Sequence, residues 1–331
     1  MKPGVAVFRT ADHRYYADTC VPLRQAGERD EVRLVARVHG AYPGEPLAPG
    51  RLPEVRSVGY WDADHDQSWG LDWHRNEGIE LTYLASGKVG FAVDDQTYHL
   101  KSGDLTVTRP WQMHRVGNPD VTACRLHWLI LDVGVRRPNQ PWKWPSWLVL
   151  SAEDLASLTT NLSHNEQPVW PADDEVAHYF DRLGEATAAY DDRTGESRLK
   201  LHINGLLIAV AELLRRSQPP LDPSLSSTQR TVELFLSSLP DHVDRDWTVA
   251  SMAAACGLGR SRFTHYCKQT TNMSPNEFLA RCRVEAASRL LQSRLDLNIT
   301  AVALQTGFGS SQYFSTVFRQ HIGCSPREFR R

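Results

Sequence analysis

Paired cysteines are missing from this sequence. Its 331 residues include six cysteines (Cys20, Cys124, Cys256, Cys267, Cys282, Cys324), none in a Cys-x-x-Cys spacing, which argues against a disulfide framework and a zinc ribbon. They read as reduced, small, mostly buried side chains. No run of eighteen apolar residues exists to cross a bilayer, and Met1-Lys2-Pro3-Gly4-Val5 lacks the basic-then-apolar opening of a secretory signal. A cytoplasmic protein without a membrane partner is expected. Strong net charge is absent too, at -2 overall. That balance conceals an asymmetry: residues 228–331 hold 13 Lys and Arg against 8 Asp and Glu, and the remainder 24 against 31. Only the C-terminal part suits a polyanion, and its excess is below that of a non-specific nucleic-acid coat. Length predicts two folded bodies with a connector.

What is present is an internal repeat of 50 to 51 residues. Trp247-Thr248-Val249 recurs as Leu297-Asn298-Ile299, Gly257-Leu258-Gly259 as Gly307-Phe308-Gly309, and Ser274-Pro275-Asn276-Glu277-Phe278 as Ser325-Pro326-Arg327-Glu328-Phe329. Each copy reads as two helices around a tight turn. Thr248 and Asn298 are N-cap types, and Gly257 and Gly307 supply the positive φ that ends the first helix. The second helices, about 260–269 and 310–320, turn Phe263, Tyr266, Cys267 and Phe314, Val317, Phe318 inward. Their outward faces carry Arg260, Ser261, Arg262, Thr264, His265 and Lys268, then Ser310, Ser311, Gln312, Ser315, Thr316 and Arg319. Such side chains read base edges and hold phosphates. A helix capped by Ser274, Pro275 and Glu277 joins the copies. Its stripe Leu279, Cys282, Ala286, Leu290 predicts one face packing on both.

The run Thr300 to Gln320 with Gly323-Cys324-Ser325-Pro326-Arg327-Glu328-Phe329-Arg330 resembles the signature of AraC/XylS-family transcription regulators over about residues 228–331. The resemblance implies base contacts from Ser261, Arg262, Thr264, His265, Ser311, Gln312, Ser315 and Thr316, with Arg260, Lys268 and Arg319 better suited to phosphate. Short Ser261 and Thr264 depart from the long side chains common in relatives.

From Gly78 to Val133 the period changes to two. Ile79–Leu84, Gly90–Val93, Asp104–Thr108 and Arg125–Leu131 read as strands, with turns at Ser86-Gly87, Asp94-Asp95 and Ser102-Gly103. Many short strands imply a barrel or sandwich with a pocket. The spacing of His74, Asn76, Glu80 and Gly87, then Gly103, His114 and Asn118, resembles the two cupin motifs. Cupin enzymes hold a metal with three histidines and a glutamate; here His74, Glu80 and His114 match, but Asn76 replaces a histidine, and amide oxygen is a poor ligand for borderline metals. No metal, cofactor or catalytic residue is therefore expected. His74 and His114 either hydrogen-bond at the barrel mouth or hold a small polar effector with Glu80. Tyr83 and Trp111 either stack on a sugar ring or fill the core. Residues 1–70, with Trp61 and Trp69, are expected to add outer strands or a lid.

After the Pro/Trp-rich stretch Pro138 to Trp147, the stripes Val176, Phe180, Leu183, Thr187, Tyr190 and Leu199, Ile203, Leu206, Val210, Leu213 predict a helical hairpin. Its seam serves either a second subunit or the barrel, dimerisation being favoured. Residues 217–224 read as a stiff linker. The expected fold is α+β and multi-domain: a cupin-like barrel (1–150), a helical connector (151–227), and an all-α tandem helix-turn-helix domain (228–331). The expected function is a homodimeric, effector-responsive transcription regulator, partnered by double-stranded DNA, a small molecule and RNA polymerase. A carbohydrate effector is the family's implication. The rival readings are a metal-dependent cupin enzyme with an accessory DNA-binding domain, and an architectural DNA protein with no effector.

Overall fold

The computed structural model describes residues 20–331 apart from Asp95, Pro138, Asp192 and Arg331. The opening Met1 to Val5, the first nineteen residues of the expected lid, and single positions Asp95 and Pro138 thus lie outside the described residues. The rest divides between Ser226 and Ser227 into two compact units.

In the first unit α1 (Val21–Glu28) precedes β1 (Arg33–Val38), β2 (Glu45–Pro46), β3 (Val55–Ala63), β4 (Leu71–His74), β5 (Ile79–Val93), β6 (Gln96–Lys101), β7 (Asp104–Thr108), β8 (His114–Val116) and β9 (Cys124–Leu131). Then come α2 (Ala152–His164), β10 (Val169–Pro171), α3 (Asp174–Ala188) and α4 (Gly195–Ser217). Strands hydrogen-bond in the order β10, β7, β5, β9, β3, β1, β2, antiparallel except β1 with β2. The far half of β5 pairs with β6 and β8, and β4 with β8.

One strand thus serves two walls, which corrects the expected turn at Ser86-Gly87. The register slips between Leu84 and Ser86, and Gly87 takes φ +85° with its open side against the Ala123 carbonyl. An extra residue and a positive φ bend a strand without ending it. The segment before residue 70 is also more central than expected. β3 lies between β9 and β1, and its Trp61 is buried with Leu84, Phe91, Leu126, Trp128 and Ile130 in the barrel core.

The hairpin of α3 and α4 forms, and its seams are filled within this unit. Val176, Phe180, Leu183 and Thr187 are buried on α3, and Leu199, Ile203, Leu206, Val210 and Leu213 on α4. α3 lies against the outer face of β1, β3 and β9. Phe180 stacks on Tyr83 at 5.5 Å, and the bare backbone of Gly184 admits the His127 ring. Glycine permits that approach because no Cβ stands between helix and sheet. The linker is tied down as well: the Asp222 amide donates to the His164 carbonyl, and Asn165 bridges to Leu221.

The second unit contains α5 (Thr228–Ser238), α6 (Val249–Ala255), α7 (Arg260–Thr271), α8 (Pro275–Ser293), α9 (Ile299–Gln305), α10 (Ser311–Ile322) and α11 (Pro326–Phe329). Side-chain caps start these helices where the sequence placed N-cap residues. Thr248 accepts from the Ser251 amide, Asn298 from Ala301, and Ser274 and Ser325 form reciprocal boxes with Glu277 and Glu328; each cap satisfies an orphan backbone donor, worth roughly 1 kcal/mol.

The joining helix α8 behaves differently from the single stripe expected. Phe278, Leu279 and Cys282 enter the first core, with Met252, Phe263 and Cys267. Val284, Ala287 and Leu291 enter the second, with Val302, Phe314 and Phe318. At 3.6 residues per turn those two faces are nearly half a turn apart. A helix between two bodies buries both flanks, so Ala286 and Leu290, on the first stripe, are only partly buried.

Candidate nucleic-acid interface and barrel cavity

α7 and α10 bury one face and expose the other. Phe263 and Cys267, then Phe314, Val317 and Phe318, are inside. Arg260, Ser261, Arg262, His265 and Lys268 are exposed on α7, and Gln312, Thr316 and Arg319 on α10; Thr264, Ser311 and Ser315 are half-buried. Ser310 precedes the helix: it is the N-cap of α10, its hydroxyl oxygen accepting from the Tyr313 amide. The helix begins one residue later than periodicity suggested, and one acceptor site of the capping hydroxyl is used by its backbone. Two more hydroxyls bond back to the backbone of their own helix. Ser315 donates to the Ser311 carbonyl at 2.8 Å and Thr316 to the Gln312 carbonyl at 3.1 Å.

Arg283 is a residue the sequence did not single out. Its Nε and Nη2 donate to the carbonyls of Val243 and Arg245, at 3.0 and 2.8 Å, and its guanidinium lies 5.9 Å from the Phe308 ring centre. It therefore pins α8 to the loop before α6 and to the turn of the second repeat. Nothing in the local sequence distinguishes it from a solvated arginine.

In the first unit the cupin-pattern residues converge. His114 Nε2 lies 2.8 Å from Glu80 Oε2, the Asn76 amide donates to the same oxygen at 2.8 Å, and the His74 and His114 rings are 4.3 Å apart. Each imidazole Nδ1 faces a backbone carbonyl, Asp72 at 2.6 Å and Gln112 at 2.9 Å. That partner fixes the ring and turns Nε2 inward. Burial pushes the His74 pKa down to about 4, and the His114 charge adds to the effect. Burial works against charge on Glu80 and His114 as well. Their mutual attraction outweighs it, holding the carboxyl below its usual value and the imidazole above.

Among the described residues His74, Glu80 and His114 offer ligand atoms all within 4.8 Å of one another. The arrangement fits three ligands of a divalent ion, with the carbonyl-held Nδ1 atoms as supporting shell. Asn76 does not complete it: its amide nitrogen faces Glu80, and its oxygen is 3.1 Å from the Tyr42 hydroxyl.

His74, Glu80, Thr82 and Ser57 form the polar end of a barrel cavity walled by Trp61, Leu126, Trp128 and Ile130, with about 30 Å³ of open space. That is room for about two water molecules. Tyr83 and Trp111 do not line it, correcting their assignment to the ligand site. Tyr83 projects to the α3 side, and Trp111 is buried with its Nε1 donating to the Val135 carbonyl at 2.7 Å. Strand alternation explains the first case, because residues 80 and 83 are an odd number apart and face opposite ways. The same alternation could have found Trp128, two residues from Leu126.

Comparison with known proteins now bears on both halves. A family model described as a helix-turn-helix domain matches residues 252–331, and one described as a cupin domain matches residues 64–130. The arabinose operon regulatory protein of Salmonella typhimurium is 25% identical over 298 residues, 86% of this chain and 96% of that protein. The chain is a DNA-binding transcription regulator, similar in both domains to the AraC type. The transcriptional activator RhaS of Escherichia coli is 26% identical to the regulator over 258 residues, 78% of this chain and 86% of its own. Among solved structures, the DNA-binding domain of AdpA in complex with a target DNA is 28% identical, covers 31% of this chain and 90% of that one, and has a TM-score of 0.29. No helix of the described residues is long and apolar enough to cross a membrane.

Proposed function

We propose that the regulator reads DNA with α7 and α10 and is switched by a small polar effector in the barrel cavity. The observation that carries the first part is the pair of helices whose hydrogen-bonding faces remain outside while their aromatic faces are buried. Arg260 and Lys268 on α7, and Arg319 on α10, supply phosphate contacts, and Arg262 contacts bases. Ser261, Thr264 and His265, and Ser311, Gln312, Ser315 and Thr316, face the groove. The working division is an effector barrel over residues 1–150, a connector over 151–227, and a DNA-binding domain over 228–331.

The switch follows from the two faces of β9. Leu126, Trp128 and Ile130 line the cavity, and His127 between them meets α3. A ligand larger than the present cavity must part these strands, and that displacement reaches the α3–α4 hairpin. The outer side of α4 exposes Leu201 and Ile208, seven residues apart, and this stripe serves a homodimer. A ligand with different affinity for two arrangements shifts their populations. A carbohydrate is the leading effector class, consistent with the name of the arabinose relative. The protein works where the genome is, alongside RNA polymerase, and not as an enzyme.

The test is a thermal-shift screen of sugars and small acids on the full chain, followed by DNA binding with each hit. A stabilising ligand that also changes DNA affinity supports the reading; ligands that stabilise without any effect on DNA would remove the switch. A second reading, that the barrel holds a metal ion, is favoured by the convergence of His74, Glu80 and His114. Elemental analysis of the purified protein decides it.

A further inference from the structure

We propose that Gln312 reads one adenine, and that the second reading helix discriminates sequence chiefly through this contact. The inference rests on α7 and α10 being the DNA-contacting helices. It comes from comparing the hydrogen-bonding groups of Ser310, Gln312, Ser315, Thr316 and Arg319 at α10.

Ser310 is held at the start of the helix as its cap, and the hydroxyl hydrogens of Ser315 and Thr316 are held by carbonyls one turn back. Those two side chains retain only acceptor lone pairs. Arg319 lies in the last turn of α10, about two turns beyond Gln312, and is assigned to phosphate. Gln312 remains, exposed on the first turn, with its amide touched only by the Ser311 hydroxyl at 3.4 Å, the outer limit of a hydrogen bond. It presents a donor and an acceptor side by side. In the major groove adenine presents N7 as acceptor and N6 as donor, which one amide satisfies with two bonds. Guanine presents two acceptors, and the amide oxygen would face one of them.

The first reading helix has no equivalent. In the repeat alignment the partner of Gln312 is Ser261, too short for a two-bond contact. One adenine position for each protomer, not two, is therefore expected to depend on this residue type.

The experiment selects duplexes from a random-sequence pool with the full chain, for wild type, Gln312→Ala and Gln312→Arg. The expected wild-type motif contains an adenine position that Gln312→Ala flattens while keeping the rest, and that Gln312→Arg converts to guanine. On duplexes differing only there, wild type should favour adenine over guanine by about 5- to 100-fold, the range of one bidentate contact, and the alanine variant by less than about twofold. Should the alanine variant melt early, the adenine-to-guanine change in the arginine variant carries the test. A motif unchanged by both substitutions, or one that changes at a position other than adenine, overturns the Gln312 assignment and leaves the reading helices standing. A wild-type selection that yields no motif removes both.

Discussion

His114 donates from Nε2 to Glu80 across 2.8 Å inside the barrel, where neither side chain has more than slight access to solvent. Each is the other's main compensation for burial, and Asn76 supplies a further donor to the same oxygen. Replacing Glu80 with alanine removes the attraction that keeps His114 charged, so the buried imidazole sheds its proton, and the lost charge-assisted hydrogen bonds cost about 1–3 kcal/mol. Urea unfolding followed by tryptophan emission should show that drop. A loss under about 1 kcal/mol would mean the pair contributes nothing.

Acid should loosen the sheet where α3 docks. Burial, with Arg125 nearby, pushes the His127 pKa down to about 4, and the ring sits between Tyr60 and Phe180. A depressed histidine binds its proton more readily unfolded, so its contribution is complete above the unfolded value and is lost as pH falls from about 6.5 to about 4. The stability of the first unit should fall over that interval by on the order of 3 kcal/mol from this group. His127→Phe should flatten the profile, and an unchanged slope would contradict the assignment.

Ser310→Ala should behave as a lost cap. The expected cost is about 1 kcal/mol of stability, with specific and random duplexes weakened alike. Thermal melting and paired affinity measurements check this, and a selective loss on the specific duplex would return Ser310 to the reading face.

Arg319→Ala should weaken every duplex and lower the slope of log affinity against log salt by about 0.9. Titrations at several salt concentrations measure it; an unchanged slope would place Arg319 away from phosphate.

Gly307→Ala should disrupt the second unit. The residue has φ +78°, and an added Cβ would meet the Val243 carbonyl and the Arg283 guanidinium. Strain and clash together should cost about 2 kcal/mol or more, measured as a lower melting temperature. Retention of wild-type stability would show that the turn can relax.

The two halves differed in how far their sequence could be read. In the C-terminal repeat, helix starts follow from Thr248, Ser274, Asn298 and Ser325, because a cap is a local bond between a side chain and an amide three residues on. In the barrel, the cupin spacing located His74, Glu80 and His114, whose partners come from different strands. Tyr83 and Trp111 were misplaced because aromatic residues suit a core, a helix contact or a ligand equally well. Trp61, in a segment with few turn signals, was not recognised as part of a central strand.

By itself the sequence determined the tandem repeat, its turns and caps, and the outward polar character of both reading helices, since periodicity and capping act within a few residues. Only the tertiary structure decided which of those polar groups remain available, which faces of α8 are buried, and that α3 closes on the barrel. Those outcomes depend on which surfaces meet, and a hydroxyl already bonded to its own helix looks the same in one dimension as a free one.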